Sequence, residues 1–353
     1  MTRRSATVLV LPRPPAPPAE DGGPADASVP APVAALAPYG GHRLQPAHYE
    51  PARVPAEVAR FAGRPDMLPA GSPGKVGLLE LGFGLTGRGT ELVHHYQKSP
   101  LQIMHPLYYD ERRPDLPYTY LMSTGGGVLQ GDRLRTDLAF GAGTSAHVTT
   151  SAYTKVLRME QDYAVAQVNL DVADGAYVEY VPDPVLLFTD ARLYQRTRAT
   201  VAPGATLVLA DTVVAGRLAR GERHRYAALA ADLEVDRPDG SPVAVDRVRL
   251  VPDGGSPGGP AVLGGRDVLG TLCVLTPLAP AAELRDLLRD AVAPASGSGS
   301  GVLAGVSTLP GDAGAWVRLV GDRTADVVRA TDLAWRAVRQ HLTGVPAPAI
   351  RKT

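Results

Sequence analysis

Residues 123–158 read STGGGVLQGDRLRTDLAFGAGTSAHVTTSAYTKVLR, and this stretch says most about the kind of chain this is. Three consecutive glycines, 125 to 127, are followed by Gly131, Asp132 and a Thr/Ser-rich run. Glycine carries no Cβ, so the backbone here can turn left-handed or approach another segment closely. A phosphate loop needs Lys and Ser/Thr after its last glycine, but Gly131 is followed by Asp132. Glycines 125, 127 and 131 also miss the dinucleotide-binding spacing by one residue. An anionic side chain in that place repels phosphate. The stretch reads as a shaped, acid-tipped turn between strands.

Strand-like runs continue outward from it. The segments 146–159 (AHVTTSAYTKVLRM), 164–172 (AVAQVNLDV), 176–181 (AYVEYV), 185–188 (VLLF), 205–216 (ATLVLADTVVAG), 232–235 (DLEV) and 271–278 (TLCVLTPL) are rich in β-branched and aromatic residues between Gly, Asp and Pro turns. Their close spacing leaves no room for crossover helices, which predicts a mostly β body with antiparallel strands. Two helices are expected in the C-terminal half. One runs from about Ala281 to Val292 on a Leu284, Leu287, Leu288, Val292 stripe. The other starts near Asp322 or Thr324, presents Val328, Thr331, Trp335, Val338 and Leu342, and stops before Gly344. Segments 252–260 (PDGGSPGGP) and 296–301 (SGSGSG) read as loops. Residues 1–75 are rich in Pro, Ala and Gly and offer too little apolar surface to offset ordering entropy. They are expected to be a mobile extension, with 52–63 (ARVPAEVARFAG) its most orderable part, ahead of one domain over 76–353.

Composition excludes several classes. The chain has 353 residues, 44% hydrophobic and 20% charged, with a formal net charge of zero. No global field favours nucleic acid or an anionic membrane. Arg3 and Arg4 precede a short apolar run that Pro12 breaks, so no export signal is expected. No run reaches the ~18 apolar residues of a membrane span. The single cysteine, Cys273, lies in an apolar run, excludes an internal disulfide and fits a reducing cytoplasm.

Few residues carry an obvious chemistry. In 205–216, Leu207, Leu209, Asp211 and Val213 share one strand face. A carboxylate in so apolar a strand needs either an ion-pair partner or a wet passage. Glu179 shares its face with Tyr177 and Val181. Asp132 could line a site or simply satisfy amides of its own turn, and Asp183 and Asp190 suit solvated turns. Thr149, Thr150 and Ser151 place hydroxyls along one strand, through β-propensity or as the lining of a polar passage. The eight histidines form no HExxH, HxH or Cys/His pattern, so no tight metal site is expected. There is no GxSxG nucleophile motif, and the chemistry argues against an enzyme.

The ordered set of segments 125–134 (GGGVLQGDRL), 148–158 (VTTSAYTKVLR), 175–197 (GAYVEYVPDPVLLFTDARLYQRT), 209–222 (LADTVVAGRLARGE) and the 346–353 tail (PAPAIRKT) resembles the UreD (UreH) family of urease accessory proteins. The likeness spans roughly residues 76–353. It implies a UreD-like, two-layer, β-helical-type fold with helices near the C-terminus. It also implies a non-enzymatic nickel-insertion chaperone that binds apo-urease and bridges it to UreF, and through UreF to the GTPase UreG. No tightly bound cofactor is implied. Ni²⁺ would pass transiently through a wet route, for which Asp132, Thr149, Ser151, Glu179 and Asp211 are the candidates. Scattered oxygen ligands suit passage, because a tight site would trap nickel. Two other readings stay open. One is a β-rich hydrolase with Glu179 and Asp211 as its acid and base, which needs both carboxyls in one cleft. The other is an interaction module with no nickel path.

Overall fold

Alternation along each strand divides the apolar side chains between two faces, and the fold follows from burying both. The computed structural model describes residues 43–63, 76–296, 300–350 and 352. One sheet contains β1 (Val76–Thr86), β2 (Gly89–Lys98), β5 (Arg133–Phe140), β8 (Ala164–Val172), β11 (Arg192–Val201), β13 (Ala228–Asp236) and β14 (Pro242–Leu250), in the order β14-β13-β11-β8-β5-β1-β2. The second contains β3 (Leu101–Gln102), β4 (Tyr118–Ser123), β6 (Ser145–Thr150), β9 (Tyr177–Tyr180), β12 (Thr206–Val214), β15 (Val268–Leu275), β16 (Val302–Thr308) and β17 (Gly314–Gly321), in the order β16-β17-β15-β12-β9-β6-β4-β3. Short strands β7 (Thr154–Val156) and β10 (Val185–Leu187) attach beside β12.

The mostly β, two-layer expectation holds, and the antiparallel one holds only in part: β1–β2, β3–β4, β13–β14, β12–β15, β15–β17 and β16–β17 are antiparallel, but the central ladders are not. The ladders β1–β5, β5–β8, β8–β11 and β11–β13 are parallel, as are β4–β6, β6–β9 and β9–β12. After β5 the chain forms β6 in the other sheet, returns for β8, crosses again for β9, and so winds onward as a solenoid. The crossover between parallel neighbours is therefore itself a strand. Close strand spacing excluded crossover helices without excluding parallel pairing.

Leu79, Leu81, Phe83, Leu138, Phe140, Leu170, Val178, Tyr180, Leu207, Leu209 and Cys273 fill the space between the sheets. Phe83 and Phe140 stack there with ring centroids 5.2 Å apart. The opposite face of β12, with Val208, Ala210 and Val214, packs against a helical layer. Burying each such aliphatic side chain is worth ~1.5–3 kcal/mol, which is why both faces of the second sheet must be covered.

Two short helices precede the sheets, α1 (Pro46–Tyr49) and α2 (Ala56–Ala59). Within the segment expected to be a mobile extension, residues 43–63 are thus folded against the outer face of the first sheet. Val58 is buried there against Tyr163, Val165, Tyr194, Ala228 and Ala230. The two long helices, α3 (Ala281–Ser296) and α4 (Thr324–Thr343), cover the second sheet. Gly344 ends α4 in the left-handed conformation expected of it, at φ 71°. The buried face of α4 differs from the sequence expectation: Val327 replaces Val328, Ala330, Ala334 and Arg339 join it, and Leu342 is only partly buried. The helix packs on both α3 and the sheet, so its buried face is wider than one stripe.

The glycine run is explained by close approach. A Cβ on Gly127 would lie 2.6 Å from the Lys155 carbonyl oxygen, whereas one on Gly126 would meet nothing. Val128 N–H then donates to Lys155 O at 2.7 Å, and Leu157 N–H to Val128 O at 2.9 Å.

Candidate functional site

Asp211 faces the gap between the sheets, as the alternation of 205–216 requires. Its neighbours across the ladder are Thr271 of β15 and, one strand further, Arg318 of β17. Opposite stand Gln195 and Thr197 of β11, Leu233 of β13 and Asp246 of β14. Together they line a cavity of about 20 Å³, room for a water, since one occupies roughly 10–15 Å³ by this measure. The Asp211 carboxyl is enclosed by protein, yet part of the residue's surface remains accessible. Burial pushes this carboxyl up from the usual carboxylate range, against a Gln195 hydrogen bond, the Thr212 amide and the Arg318 charge. The arrangement is a water-sized space that brings together oxygen atoms from both sheets.

Glu179 has a different setting. It is completely buried on the other face of the second sheet, beneath α4. Its Oε1 accepts from Tyr177 OH at 2.7 Å, and its Oε2 lies 2.7 Å from His147 Nδ1 and 3.1 Å from an Arg339 guanidinium nitrogen. Arg339 also donates to Asp110 Oδ2 at 2.6 Å, and Tyr118 OH reaches the same oxygen at 3.3 Å. The His147 ring is sandwiched between Tyr118 and Trp335, at 5.0 and 5.1 Å. Burial opposes the Glu179 charge, but hydrogen bonds from His147 and Tyr177 and the Arg339 charge hold its carboxyl below the usual range. Burial likewise holds His147 below its ordinary value. The cluster ties α4 to the sheet, and both carboxylate oxygens of Glu179 are engaged in it. Glu179 and Asp211 therefore face opposite sides of one sheet, which removes the two-carboxylate hydrolase reading.

The remaining candidates are dispersed. Asp132 is buried at its turn, where Oδ2 accepts the Leu129 amide at 2.8 Å. Thr149 donates to Val181 O at 2.6 Å and receives Lys352 Nζ at 2.9 Å. Lys352 also pairs with Asp183 at 2.8 Å. Ser151 lines a surface groove of about 630 Å³ with Met104, Leu107, Tyr109, Tyr120 and Met122. Cys273 sits in the core as expected.

Sequence reasoning missed a further cluster. On the outer face of the first sheet, ligand atoms of His48, Glu80 and Asp137 lie within 4.8 Å of one another. Glu80 and Asp137 are register partners on parallel strands, and α1 delivers His48, so no linear motif joins them. Arg43 grips Glu80 with two hydrogen bonds of 2.7 Å, and His94 Nε2 lies 3.3 Å from it. Arg135 similarly grips Asp137, at 2.8 and 3.0 Å, and Asn169 adds a bond of 2.7 Å. Burial would raise the Glu80 carboxyl, but the His94 and Arg43 hydrogen bonds and the Arg43 charge lower it to about 2. With two guanidiniums on its carboxylates, this cluster is an ion-pair clasp rather than a metal centre.

Comparison with known proteins agrees with the order of motifs. The profile of the family described as UreD urease accessory protein matches residues 75–352. The urease accessory protein UreD 2 of Streptomyces griseus is 52% identical over 297 residues, covering 84% of this chain and 100% of that protein. The urease accessory protein UreD of Haloarcula marismortui is 41% identical over 282 residues, 80% of this chain and 92% of that one. The urease accessory protein UreD 3 of Methylorubrum populi is 36% identical over 296 residues, 83% and 94% respectively. No described helix is long and apolar enough to cross a membrane.

Proposed function

The chain belongs to the UreD family of urease accessory proteins, and we propose that it serves urease maturation as a non-enzymatic scaffold in the cytoplasm. In this reading it binds apo-urease, bridges it to UreF and through UreF to the GTPase UreG, and gives Ni²⁺ a path toward the urease active site. Nickel is cargo here. The observation that carries the reading is the water-sized cavity at Asp211, between two sheets whose other inward residues are overwhelmingly apolar. Oxygen donors of modest affinity suit a metal that must leave again.

A bridging role also needs surface for partners. The groove at Ser151 supports this, with Met104 72% and Tyr109 39% exposed at the β3–β4 edge of the second sheet. Apolar patches of this kind mark protein-binding surfaces.

The test is co-expression of urease structural subunits and UreF and UreG homologues with the wild-type chain or with Asp211→Asn. Expected is an intact complex whose urease carries less nickel by elemental analysis. Normal nickel loading with Asp211→Asn would remove the path and leave an interaction module. Failure of the wild-type chain to co-purify with urease subunits or UreF would remove the scaffold reading as well.

A further inference from the structure

Asp211, Thr271 and Arg318 form one row across three neighbouring strands, all facing the gap between the sheets. Arg318 donates to Thr271 Oγ1 at 3.0 Å. Its guanidinium also pairs with Asp246 Oδ1 at 2.8 Å. Asp246 belongs to β14, the edge strand of the opposite sheet, so this pair spans from one sheet to the other. The two side chains are 32% and 24% exposed, which places them where the Asp211 cavity meets solvent.

We propose that Arg318 is a latch and tethered counter-ion: it closes this mouth and holds the place that a divalent cation takes beside Asp211 and Asp246. This rests on the reading that nickel passes Asp211. Two carboxylates facing one low-dielectric gap repel each other, and the guanidinium offsets that repulsion. A pair a quarter to a third exposed is partly screened by solvent, so the latch opens readily. A divalent ion brings twice the charge, and Asp211, Asp246, Thr271 and Gln195 offer it oxygen ligands only. Arg318 remains covalently at hand to compete for the carboxylates, which favours release of the ion. It acts through the two aspartates and is a positioning residue.

Cys273, the sole cysteine, reports on the latch. It lies in the adjacent row, Leu209–Cys273–Trp316, on the same face of the sheet as Thr271. In the folded full-length protein, Arg318→Ala is expected to speed modification of Cys273 by methyl methanethiosulfonate about tenfold, because local opening controls access to a buried thiol. Arg318→Lys, which keeps the charge, should stay near wild type. Titration with nickel chloride alone gives the second reading. Arg318→Ala should bind about fivefold more tightly, the equivalent of ~1 kcal/mol of lost competition. The gain should vanish in Asp211→Asn/Arg318→Ala. A purely packing role for Arg318 would not tighten metal binding. Unchanged or weaker nickel affinity in Arg318→Ala, or an unchanged Cys273 rate, overturns the proposal. If Arg318→Ala does not accumulate, Arg318→Gln keeps most of the packing and is judged by the same two readings. Urease loading plays no part in the test, so tightened binding with normal urease nickel would retain the latch and refute the path.

Discussion

Glu179 and Asp211 lie on paired parallel strands, with Glu179 in register with Val208, and face opposite sides of the same sheet. The two carboxylates therefore differ in what their removal does. Glu179→Ala deletes the acceptor shared by Arg339, His147 and Tyr177 in a fully buried layer. Arg339 keeps Asp110, but one guanidinium nitrogen, His147 and the Tyr177 hydroxyl lose their acceptor, and each buried polar group left unpaired costs ~1–3 kcal/mol. The expected outcome is a steep fall in soluble yield and in melting temperature. Asp211→Asn removes a charge that burial already disfavours, so its melting temperature should stay close to wild type. A Glu179→Ala protein as stable as wild type would show that the cluster does not hold α4.

The same cluster predicts strong coupling. Arg339 reaches both Glu179 and Asp110, so Arg339→Met leaves two buried carboxylates without their cation. The double variant Glu179→Gln/Arg339→Met should be more stable than the sum of its singles by ~1–3 kcal/mol, the range of coupled neighbours. Urea denaturation of the four proteins in the cycle measures it. Additive effects would mean that the two side chains act separately.

How far the sequence reaches is visible in these residues. Alternation alone placed Asp211 toward one face with Leu207 and Leu209, and Glu179 with Tyr177, and the structure keeps both assignments. The helix stripes and the Gly344 stop were legible because they depend on neighbours within one or two turns. Parallel pairing was not legible, since strand spacing is the same whether the next strand pairs locally or crosses to the other sheet. The partners of Asp211 were hidden for a related reason. Gln195, Asp246, Thr271 and Arg318 come from four other strands in two sheets, and no spacing rule connects them. Arg339 was hidden because an arginine on a helix normally reads as solvated, and only Glu179 and Asp110 make its burial tolerable.

The glycine run makes a positional prediction. Gly127→Ala drives a methyl group against the Lys155 carbonyl at 2.6 Å, which backbone must yield to accommodate. Overpacking of this kind costs ~1–3 kcal/mol. Gly126→Ala meets open space and should be close to neutral. Thermal melting of the two variants side by side checks this. Equal melting temperatures would mean that the close approach to β7 does not constrain the turn.

Glu80 predicts a pH dependence. Its carboxyl is lowered from 4.5 to about 2, so it contributes stability in full above the unfolded value, and that contribution fades as pH falls toward 2. The shift corresponds to ~3 kcal/mol for this buried group. Glu80→Gln should therefore unfold at lower urea than wild type at pH 7, and the gap should narrow steadily as pH drops below 4.5. A gap independent of pH would show that Glu80 acts through packing alone.

The N-terminal region should divide at the clasp. Residues 1–42 are dominated by Pro, Ala and Gly, and deleting them is expected to leave the melting temperature unchanged. Deletion through residue 63 does far more. It takes away Arg43, which pairs with Glu80, and Glu50, which pairs with Arg133 at 2.8 Å. It also takes away the His48 and Tyr49 carbonyls, which accept from Arg135 and Gln167. Val58 goes with them, exposing Tyr194, Val165, Ala228 and Ala230 on the sheet. Losing one buried aliphatic side chain alone costs ~2–5 kcal/mol, and Glu80 deprived of Arg43 adds to it. The longer deletion should lower the melting temperature sharply or abolish soluble expression, while Glu80→Gln within it should restore part of the loss by removing the stranded charge. If the protein lacking residues 1–63 melts like the full chain, the clasp over the first sheet contributes nothing, and the folded body begins at β1.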